Sequence, residues 1–538
     1  MTGRMILQAF NEYQIARLNF VKTISDLASR PENINALEVA GVLNLLESLL
    51  FDKNPSVQQH AVIALGRLVN FNIRLAEEVM RRNVITELIK NIDKQNKFMK
   101  KAIMFVLRAI SKHSMEMAQA IVDAGGLRTI ILCLDDFDAG VKEAAAWATG
   151  YIARHDKILA ETVTDAGAIS LLVLCLQESD LCLKQISASA LCDISKHSQA
   201  LAQSVANAGA VSFLARSIQN PDPKLKRQVL HALANVAKHS TDLAEAVVET
   251  DIFPQVLVHM GHNDANVGKA AAVLVREIIK HSQELSQLVV NTGGIEALIQ
   301  FLKTTKSTTR LPGIIALGFI AGHSAQSAMM IISLNGVSQL SSILNEENDS
   351  HTVSTAIWAL GQIGKHSQEH AQAVAATNIF PKLLQLYRCN NSSEDLKLKI
   401  KFTLKNILNK CMDIEVLEPF LLVTHPDILK YTLEQLSKIL PQDPKARRLF
   451  VSMGGLRKIQ EIQLDPGSTL SQYQTIITSC FPEEIVRYFS PGYPETILAI
   501  IDTYKPKIPP NFGDSNRIRS SEKSIGSMMS LNSVSEKY

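Results

Sequence analysis

Aromatic residues are scarce in this chain, and long apolar runs are absent from it. Aromatics make up 5% of its 538 residues, and Trp147 and Trp358 are its two tryptophans. No run reaches the roughly 18 apolar residues of a transmembrane helix, and the N-terminal stretch MTGRMILQAFNEYQ lacks an apolar signal-peptide core. We therefore expect a soluble, intracellular protein with no membrane partner.

An excess of charge of one sign is also missing. The chain has 55 basic and 52 acidic residues, which gives a net charge of +3, and both signs are mixed along the sequence. A protein that binds nucleic acid usually concentrates positive charge for the phosphate backbone. The composition therefore argues against nucleic acid as a partner.

Signatures of catalysis and of cofactor binding are lacking too. The sequence has no GxGxxG, GxxxxGK[ST] or GxSxG motif and no strand pattern to carry one. Its seven cysteines follow no CxxC or zinc-like spacing. Cys133 and Cys175 lie 42 residues apart in similar apolar stretches and are expected to be core thiols in a reducing compartment. We expect no cofactor and no enzymatic activity.

One short motif resembles a metal site. His366, Glu369 and His370 spell HxxEH, the arrangement of inverted zinc peptidases. That chemistry needs both histidines on one continuous helix, whereas Ser367 is expected to begin a new helix here. A metal-dependent hydrolase is therefore the least favoured hypothesis, and no metal ligand is assigned.

What the sequence does contain is one phrase repeated many times. KHSQALAQSVANAG (196–209) recurs as KHSTDLAEAVVETD (238–251) and as KHSQELSQLVVNTG (280–293). Such a period indicates stacked helical repeats. We interpret its histidines as structural residues at the ends of long helices, where a partly positive imidazole suits the negative end of the helix dipole. They are spaced by 42 residues, with a last interval of 43: His113, His155, His197, His239, His281, His323 and His366.

A second column keeps the same period and contains only Gly, Asn and Asp. These residues tolerate a positive φ, so the column predicts the left-handed residue that ends a helix. Its members are Gly41, Asn83, Gly125, Gly167, Gly209, Asp251, Gly293, Asn335 and Asn378.

Each repeat is predicted to contain three helices. Ser198 is a suitable N-cap for a short helix that stops at Gly209. A second short, aliphatic helix is exemplified by residues 168–177, and an Ala-rich long helix by residues 141–155 and 353–366.

This three-helix pattern resembles the armadillo repeats over about residues 10–460. The resemblance implies an all-α, right-handed superhelical solenoid with a helical C-terminal cap, because such repeats are stable only when stacked. We expect the solenoid over residues 1–463, with an N-terminal helix and about nine to ten repeats of 42 residues. Residues 464–505 are expected to form the cap, and the Ser-rich segment 506–538 is expected to be disordered.

In armadillo proteins the long helices line a groove that holds partners. Import receptors of this fold carry a ladder of Trp with Asn four residues later, whereas here only Asn235 matches, and it follows His231. Import-receptor activity is therefore not expected. For both tryptophans, helix packing is the alternative to partner binding. The groove candidates are Phe105, Trp147, Tyr151, His231, Asn235, Trp358 and Gln362.

Several segments resemble more narrowly the armadillo proteins of the ciliary central pair, among them DDFDAGVKEAAAWA (135–148) and CFPEEIVRYFSPGYPETIL (480–498). That resemblance implies a non-enzymatic structural adaptor of the axonemal central apparatus, located on the cytoskeleton of cilia and flagella. Its implied partners are other central-apparatus proteins, tubulin, and further copies of itself. The alternative is a cytosolic armadillo adaptor that binds peptide segments of signalling or trafficking partners.

Overall fold

The computed structural model of the chain describes residues 2–90, 92–389, 391–422 and 425–504. Every regular element in these ranges is a helix, which confirms the predicted all-α repeat fold. The chain divides into two compact units, Met1–Ile439 and Leu440–Tyr538. The predicted disordered segment, 506–538, lies outside the described residues, and the expected boundary at residue 463 stays a prediction.

The first unit contains the helices α1 to α30, and short 3-10 turns lie at Pro31–Asn33, Ile92–Lys94, Ser307–Arg310 and Glu418–Leu422. In chain order the α-helices are α1 (Thr2–Leu27), α2 (Ile34–Val39), α3 (Val42–Glu47), α4 (Pro55–Phe71), α5 (Ile73–Arg81), α6 (Val84–Ile89), α7 (Lys97–Ser111), α8 (Met115–Asp123), α9 (Gly126–Leu134), α10 (Ala139–Ala153), α11 (Lys157–Asp165), α12 (Ala168–Cys175), α13 (Leu181–Ser195), α14 (Gln199–Asn207), α15 (Ala210–Ser217), α16 (Pro223–Ala237), α17 (Thr241–Val248), α18 (Phe253–Met260), α19 (Ala265–Ile279), α20 (Gln283–Asn291), α21 (Gly294–Thr304), α22 (Leu311–His323), α23 (Ala325–Ser333), α24 (Gly336–Glu346), α25 (Ser350–Gly364), α26 (Gln368–Ala375), α27 (Phe380–Arg388), α28 (Glu394–Leu408), α29 (Ile414–Leu417) and α30 (Pro426–Ile439).

The second unit contains five α-helices among its described residues. They are α31 (Pro444–Ser452), α32 (Gly455–Glu461), α33 (Thr469–Thr478), α34 (Glu483–Tyr488) and α35 (Tyr493–Thr503). The ring of Phe450, which is fully buried, lies 6.3 Å from that of Phe481. The Gln474 amide donates to the Ile459 carbonyl at 2.7 Å, which ties α33 to α32.

In the described ranges, none of the helices taken singly has both the length and the apolar character needed to cross a membrane. Three pairs of consecutive helices meet those criteria only when each pair is taken together, and each pair is sharply bent.

The repeat of α14, α15 and α16 shows how the sequence sets the helix boundaries. The Ser198 hydroxyl accepts a hydrogen bond from the backbone N–H of Leu201 at 3.3 Å, so the predicted N-cap is confirmed. Asp222 caps the long helix in the same way, accepting from Leu225 at 2.7 Å. The predicted order of short, short and long helix is therefore confirmed in this repeat.

The predicted left-handed column is confirmed at all nine positions, where φ lies between 53° and 86°. This conformation turns the chain sharply between the two short helices of a repeat. The helix axes bend by 82° at Gly125, by 79° at Gly167 and by 72° at Asn335. Asp251 stands where Gly is usual. It adopts a φ of 53°, so the sharp turn between the two short helices is kept in this repeat.

Each long helix from α4 to α28 packs against the long helix of the next repeat. Small residues allow the close approach. A Cβ on Gly150 would lie 3.4 Å from the Cα of Ala190, which is ordinary contact distance for neighbouring backbones. The buried hydroxyl of Thr149, on the long helix α10, donates to the Ala145 carbonyl at 2.9 Å and is thus satisfied.

The histidine column forms a ladder of hydrogen bonds between repeats. Each imidazole Nε2 lies 2.6 to 3.0 Å from a backbone carbonyl in the last turn of the preceding long helix, a group without a partner in its own helix. The pairs are His113–Val69, His155–Ser111, His197–Ala153, His239–Ser195, His281–Ala237, His323–Ile279 and His366–Ala321. The predicted structural role is confirmed.

The predicted partly positive imidazole is wrong for His197, His239 and His366. Burial lowers the pKa of each of these side chains, and the charge of the lysine that precedes each one lowers it further. The neutral imidazole is therefore favoured. These residues act through a hydrogen bond to the neighbouring repeat, which does not need a charge at the helix end.

Three of the seven cysteines are buried core residues, namely Cys133, Cys175 and Cys411. Cys133 and Cys175 are buried as predicted, and burial raises the pKa of Cys133 to about 11. No disulfide joins any of the seven, all of which lie in the described ranges.

Removing one rung of the ladder should destabilise the solenoid. In His239→Ala the Ser195 carbonyl loses its buried donor, so we expect the free energy of unfolding to fall by about 1–3 kcal/mol in urea titrations. His351→Ala is the matched control because His351 is exposed on α25. Equal effects of the two substitutions would contradict the structural role of the hydrogen bond between His239 and Ser195.

The low pKa values in the ladder predict a pH dependence. As pH falls, unfolded histidines, whose pKa is about 6.5, bind protons before the folded ones. The stability that His197 and His239 contribute is therefore complete above about pH 6.5 and is lost as pH falls through that value toward their lower folded pKa values. Melting temperatures measured from pH 8 to pH 5 should fall less steeply in the double variant His197→Gln/His239→Gln than in the wild type. Parallel curves would rule out this linkage.

Candidate functional site

The candidate site is the face that consecutive long helices present away from the short helices. All seven predicted groove residues lie on long helices and are half-buried. Phe105 is on α7, Trp147 and Tyr151 on α10, His231 and Asn235 on α16, and Trp358 and Gln362 on α25. The structure therefore distributes them over separate repeats and does not gather them into one pocket.

An alternating stack of aromatic rings and arginines lies at the N-terminal part of this face. The Arg108 guanidinium lies 5.0 Å from the ring centre of Phe105 and 5.3 Å from that of Trp147. Trp147 stacks on Tyr151 at 5.8 Å with an interplanar angle of 17°. Arg154 continues the stack at 5.1 Å from Tyr151. Cation–π attraction holds such an arrangement.

A small cavity opens beside this stack. It has a volume of about 60 Å³ and is lined by Trp147, Gly150, Tyr151, Ser189 and Asp193, among others. Gly150 leaves room here because it has no side chain. The cavity is large enough for a small side chain of a partner and offers both an aromatic wall and a carboxylate.

Trp358 and Phe105 also serve helix packing. A Cβ on Gly318 would overlap the Trp358 ring, and a Cβ on Gly66 would lie 2.5 Å from the Phe105 ring. Trp358 further contacts Phe319 edge to face at 5.5 Å. Each ring therefore fills the space above a glycine of the preceding long helix, which supports the packing alternative for Trp358.

Asn235 forms hydrogen bonds within its own protein, whereas His231 is half-buried near two cations. Burial lowers the pKa of His231, and the charges of Arg227 and Lys269 lower it further. The Asn235 amide donates to the Cys192 carbonyl at 3.2 Å and contacts the Cys192 sulfur at 3.1 Å. This amide bridges two repeats. Asn235 therefore resembles the asparagine of import receptors in its position only.

Sequence reasoning missed a column of lysines on this face. The Lys238 ammonium donates to the Lys196 carbonyl at 2.6 Å, and the Lys365 ammonium donates to the Gly322 carbonyl and to Gln362, both at 2.8 Å. Burial lowers the pKa of Lys238 and Lys365. The signal was present in the sequence, because each lysine directly precedes a ladder histidine.

The HxxEH segment spans a corner, as predicted. Helix α25 ends at Gly364 and α26 begins at Gln368. Nε2 of His370 lies 2.9 Å from the Ala325 carbonyl, and its Nδ1 lies 2.7 Å from the Ser367 hydroxyl. Nε2 of His366 contacts the Ala321 carbonyl as part of the ladder of hydrogen bonds. Within the described ranges, no group of three His, Cys, Asp or Glu residues is arranged to hold a metal ion.

Two protein-family models match the chain. The armadillo/β-catenin-like repeat model matches residues 114–154, which hold the α8, α9 and α10 repeat. A model of the proteasome non-ATPase 26S subunit matches residues 188–405, less than half of the chain, within the same series of helical repeats.

One solved structure supports the fold alone. An engineered protein of the Northeast Structural Genomics Consortium superposes with a TM-score of 0.62 at 22% identity and covers 81% of this chain and 97% of its own. This similarity agrees with a repeat solenoid but carries no functional information.

Two full-length relatives are much more similar. Sperm-associated antigen 6 of Homo sapiens is 72% identical over 506 residues, which cover 94% of this chain and 99% of that protein. The protein of the same name from Mus musculus is 71% identical and covers 94% and 100%. With the repeat architecture described above, this identity shows that the chain belongs to the sperm-associated antigen 6 family of armadillo-repeat scaffold proteins.

Proposed function

We propose that this protein is a non-enzymatic structural adaptor of the axonemal central apparatus in cilia and flagella. The observation that carries the proposal is 72% identity over nearly the whole length of a protein named for its association with sperm, a flagellated cell. The resemblance of residues 135–148 and 480–498 to armadillo proteins of the central pair supports the proposed location on the central-pair microtubules. The adaptor stabilises the central pair and thereby supports motility.

A scaffold role agrees with the chemistry of the groove face. Burial raises the pKa of Cys192, the thiol nearest its centre, to about 12, so a thiolate nucleophile is disfavoured. Outside this face, on the short helix α26, both nitrogens of His370 contact protein oxygens. An extended face of stacked repeats instead offers a long surface on which partners bind side by side. The partners we propose are other central-apparatus proteins, tubulin, and further copies of this chain.

Localisation tests the proposal directly. A tagged chain expressed in multiciliated cells should label the axoneme along the central pair, and its removal should destabilise the central pair and reduce beating. A signal spread through the cytosol, with an intact central pair after removal, would contradict the axonemal role and favour the cytosolic adaptor of signalling or trafficking partners.

Substitutions on the groove face separate partner binding from packing. Trp147→Ala/Tyr151→Ala removes two rings of the stack beside the open cavity, so we expect weaker incorporation into axonemes. Trp358→Ala removes a ring that fills the space above Gly318, so we expect a loss of about 2–4 kcal/mol in stability. Extraction of axonemes and thermal melting measure the two effects. If the Trp147/Tyr151 variant incorporated normally, these residues would not be groove contacts.

A further inference from the structure

Seven cations on the groove face have no carboxylate partner. Among the described residues, no Asp or Glu oxygen lies within 4.0 Å of their charged nitrogens, whereas cations elsewhere are often paired. All seven project from long helices or from the residue that follows one. We call them the basic strip: Arg108, Lys112, Arg154, Arg227, Lys238, Lys269 and Lys365.

Burial and neighbouring positive charges both disfavour the charged form of lysines in the strip. Burial lowers the pKa of Lys112, and the charge of Arg108 lowers it further. Burial likewise lowers the pKa of Lys238, where the lysines at 196 and 280 oppose the attraction of Glu277. Half-buried like charges cost free energy when no counter-charge is near. The strip therefore has a deficit of negative charge.

The carboxylates on the same face supply this charge only in part: Glu143 attracts Arg108 and Glu277 attracts Lys238, each without forming an ion pair. Asp193 is paired with Lys196 at 2.8 Å. Burial disfavours the ionised form of Glu277, but hydrogen bonds from Lys280 and the charge of Arg276 outweigh it and hold its pKa below the ordinary value. The nearly balanced total of 55 basic and 52 acidic residues thus does not mean that every cation on this face has a carboxylate partner. The expectation that nucleic acid is not a partner stays a prediction.

We propose that the basic strip binds an extended acidic polypeptide segment of a partner protein. The strip runs from α7 to α25, across seven successive long helices, α7, α10, α13, α16, α19, α22 and α25. Six steps of about 8–10 Å give roughly 50–60 Å, which about 15–18 residues of extended chain span. The cations of the strip lie on or directly after α7, α10, α16, α19 and α25, so acidic side chains spaced along the segment can meet them at these five helices. The inference rests on the proposed adaptor role and names the chemistry of its partner.

The chain's own C-terminal segment is the wrong occupant on grounds of charge. Residues 505–538 contain six basic residues (Lys505, Lys507, Arg517, Arg519, Lys523 and Lys537) and three acidic ones (Asp514, Glu522 and Glu536). A segment with net positive charge would be repelled by the strip. The counter-charge therefore comes from another protein.

A binding assay with the full chain tests the inference. The probe is a fluorescein-labelled peptide of 18 residues with Glu at every third position and Ser and Ala elsewhere, and its Gln counterpart is the neutral control. We expect anisotropy titrations in low salt to show saturable binding of the Glu peptide, at least tenfold tighter than of the Gln peptide. Affinity should fall steeply at higher ionic strength because exposed charges are screened.

Charge-matched variants locate the binding. Lys112→Gln/Lys238→Gln/Lys365→Gln should weaken the Glu peptide by about tenfold, because each substitution removes a charge-assisted contact. Arg128→Gln/Lys303→Gln/Lys306→Gln removes the same net charge from exposed positions outside the long helices and should change the affinity by less than about twofold. Melting curves of both variants confirm that each one is folded.

Three outcomes would overturn the inference: equal binding of the Glu and Gln peptides, equal loss in the two triple variants, or tighter binding of a single-stranded 18-nucleotide RNA than of the Glu peptide. None of them bears on the localisation experiment, so the groove chemistry and the axonemal role can fail separately.

Discussion

The interaction on which the structure depends is the hydrogen bond from a histidine of one repeat to the last turn of the long helix before it. An armadillo repeat has too little apolar surface to fold by itself, so its stability comes from its neighbours. The imidazole joins two neighbours at the place where a helix end would otherwise leave a carbonyl unpaired. Seven such bonds, one after another, keep successive repeats in register.

The recurring phrase Lys-His-Ser gives three successive residues three separate tasks. In the repeat at residue 238 the Lys238 ammonium lies over the Lys196 carbonyl on the groove face. The Nε2 atom of His239 lies 2.8 Å from the Ser195 carbonyl of the preceding repeat. The Ser240 hydroxyl caps the following short helix by accepting from Leu243. A corner of this kind closes one helix, begins the next and supplies a groove cation, which explains why the phrase is repeated with so little change.

The sequence predicted what depends on local conformation and period. The left-handed corners, the Ser198 cap and the order of the helices follow from residue types whose preferences act within a few residues. The sequence did not predict which carbonyl each histidine contacts. An imidazole at a helix end can contact its own helix or a neighbouring one, and only packing decides between them. The stack of Arg108 between Phe105 and Trp147 was missed for the same reason, since it joins residues about 40 positions apart. Whole-chain net charge was also a poor guide, because it averages over faces that the fold separates.

A half-buried, unpaired cation is a cost that a purely structural surface would avoid. Some cations on this face are paired with a carboxylate. Arg276 and Lys280, for example, both contact the carboxylate of Glu277. Among the described residues, no carboxylate oxygen lies within 4.0 Å of the ammonium groups of Lys112, Lys238 and Lys365, although Glu277 attracts Lys238 from farther away. A solenoid tolerates such costs since each is spread over the interfaces of neighbouring repeats. Surfaces that bind partners commonly retain destabilising groups of this kind, because the free energy is recovered only when the partner arrives. The unpaired cations are therefore the observation on which the proposed acidic-partner site depends.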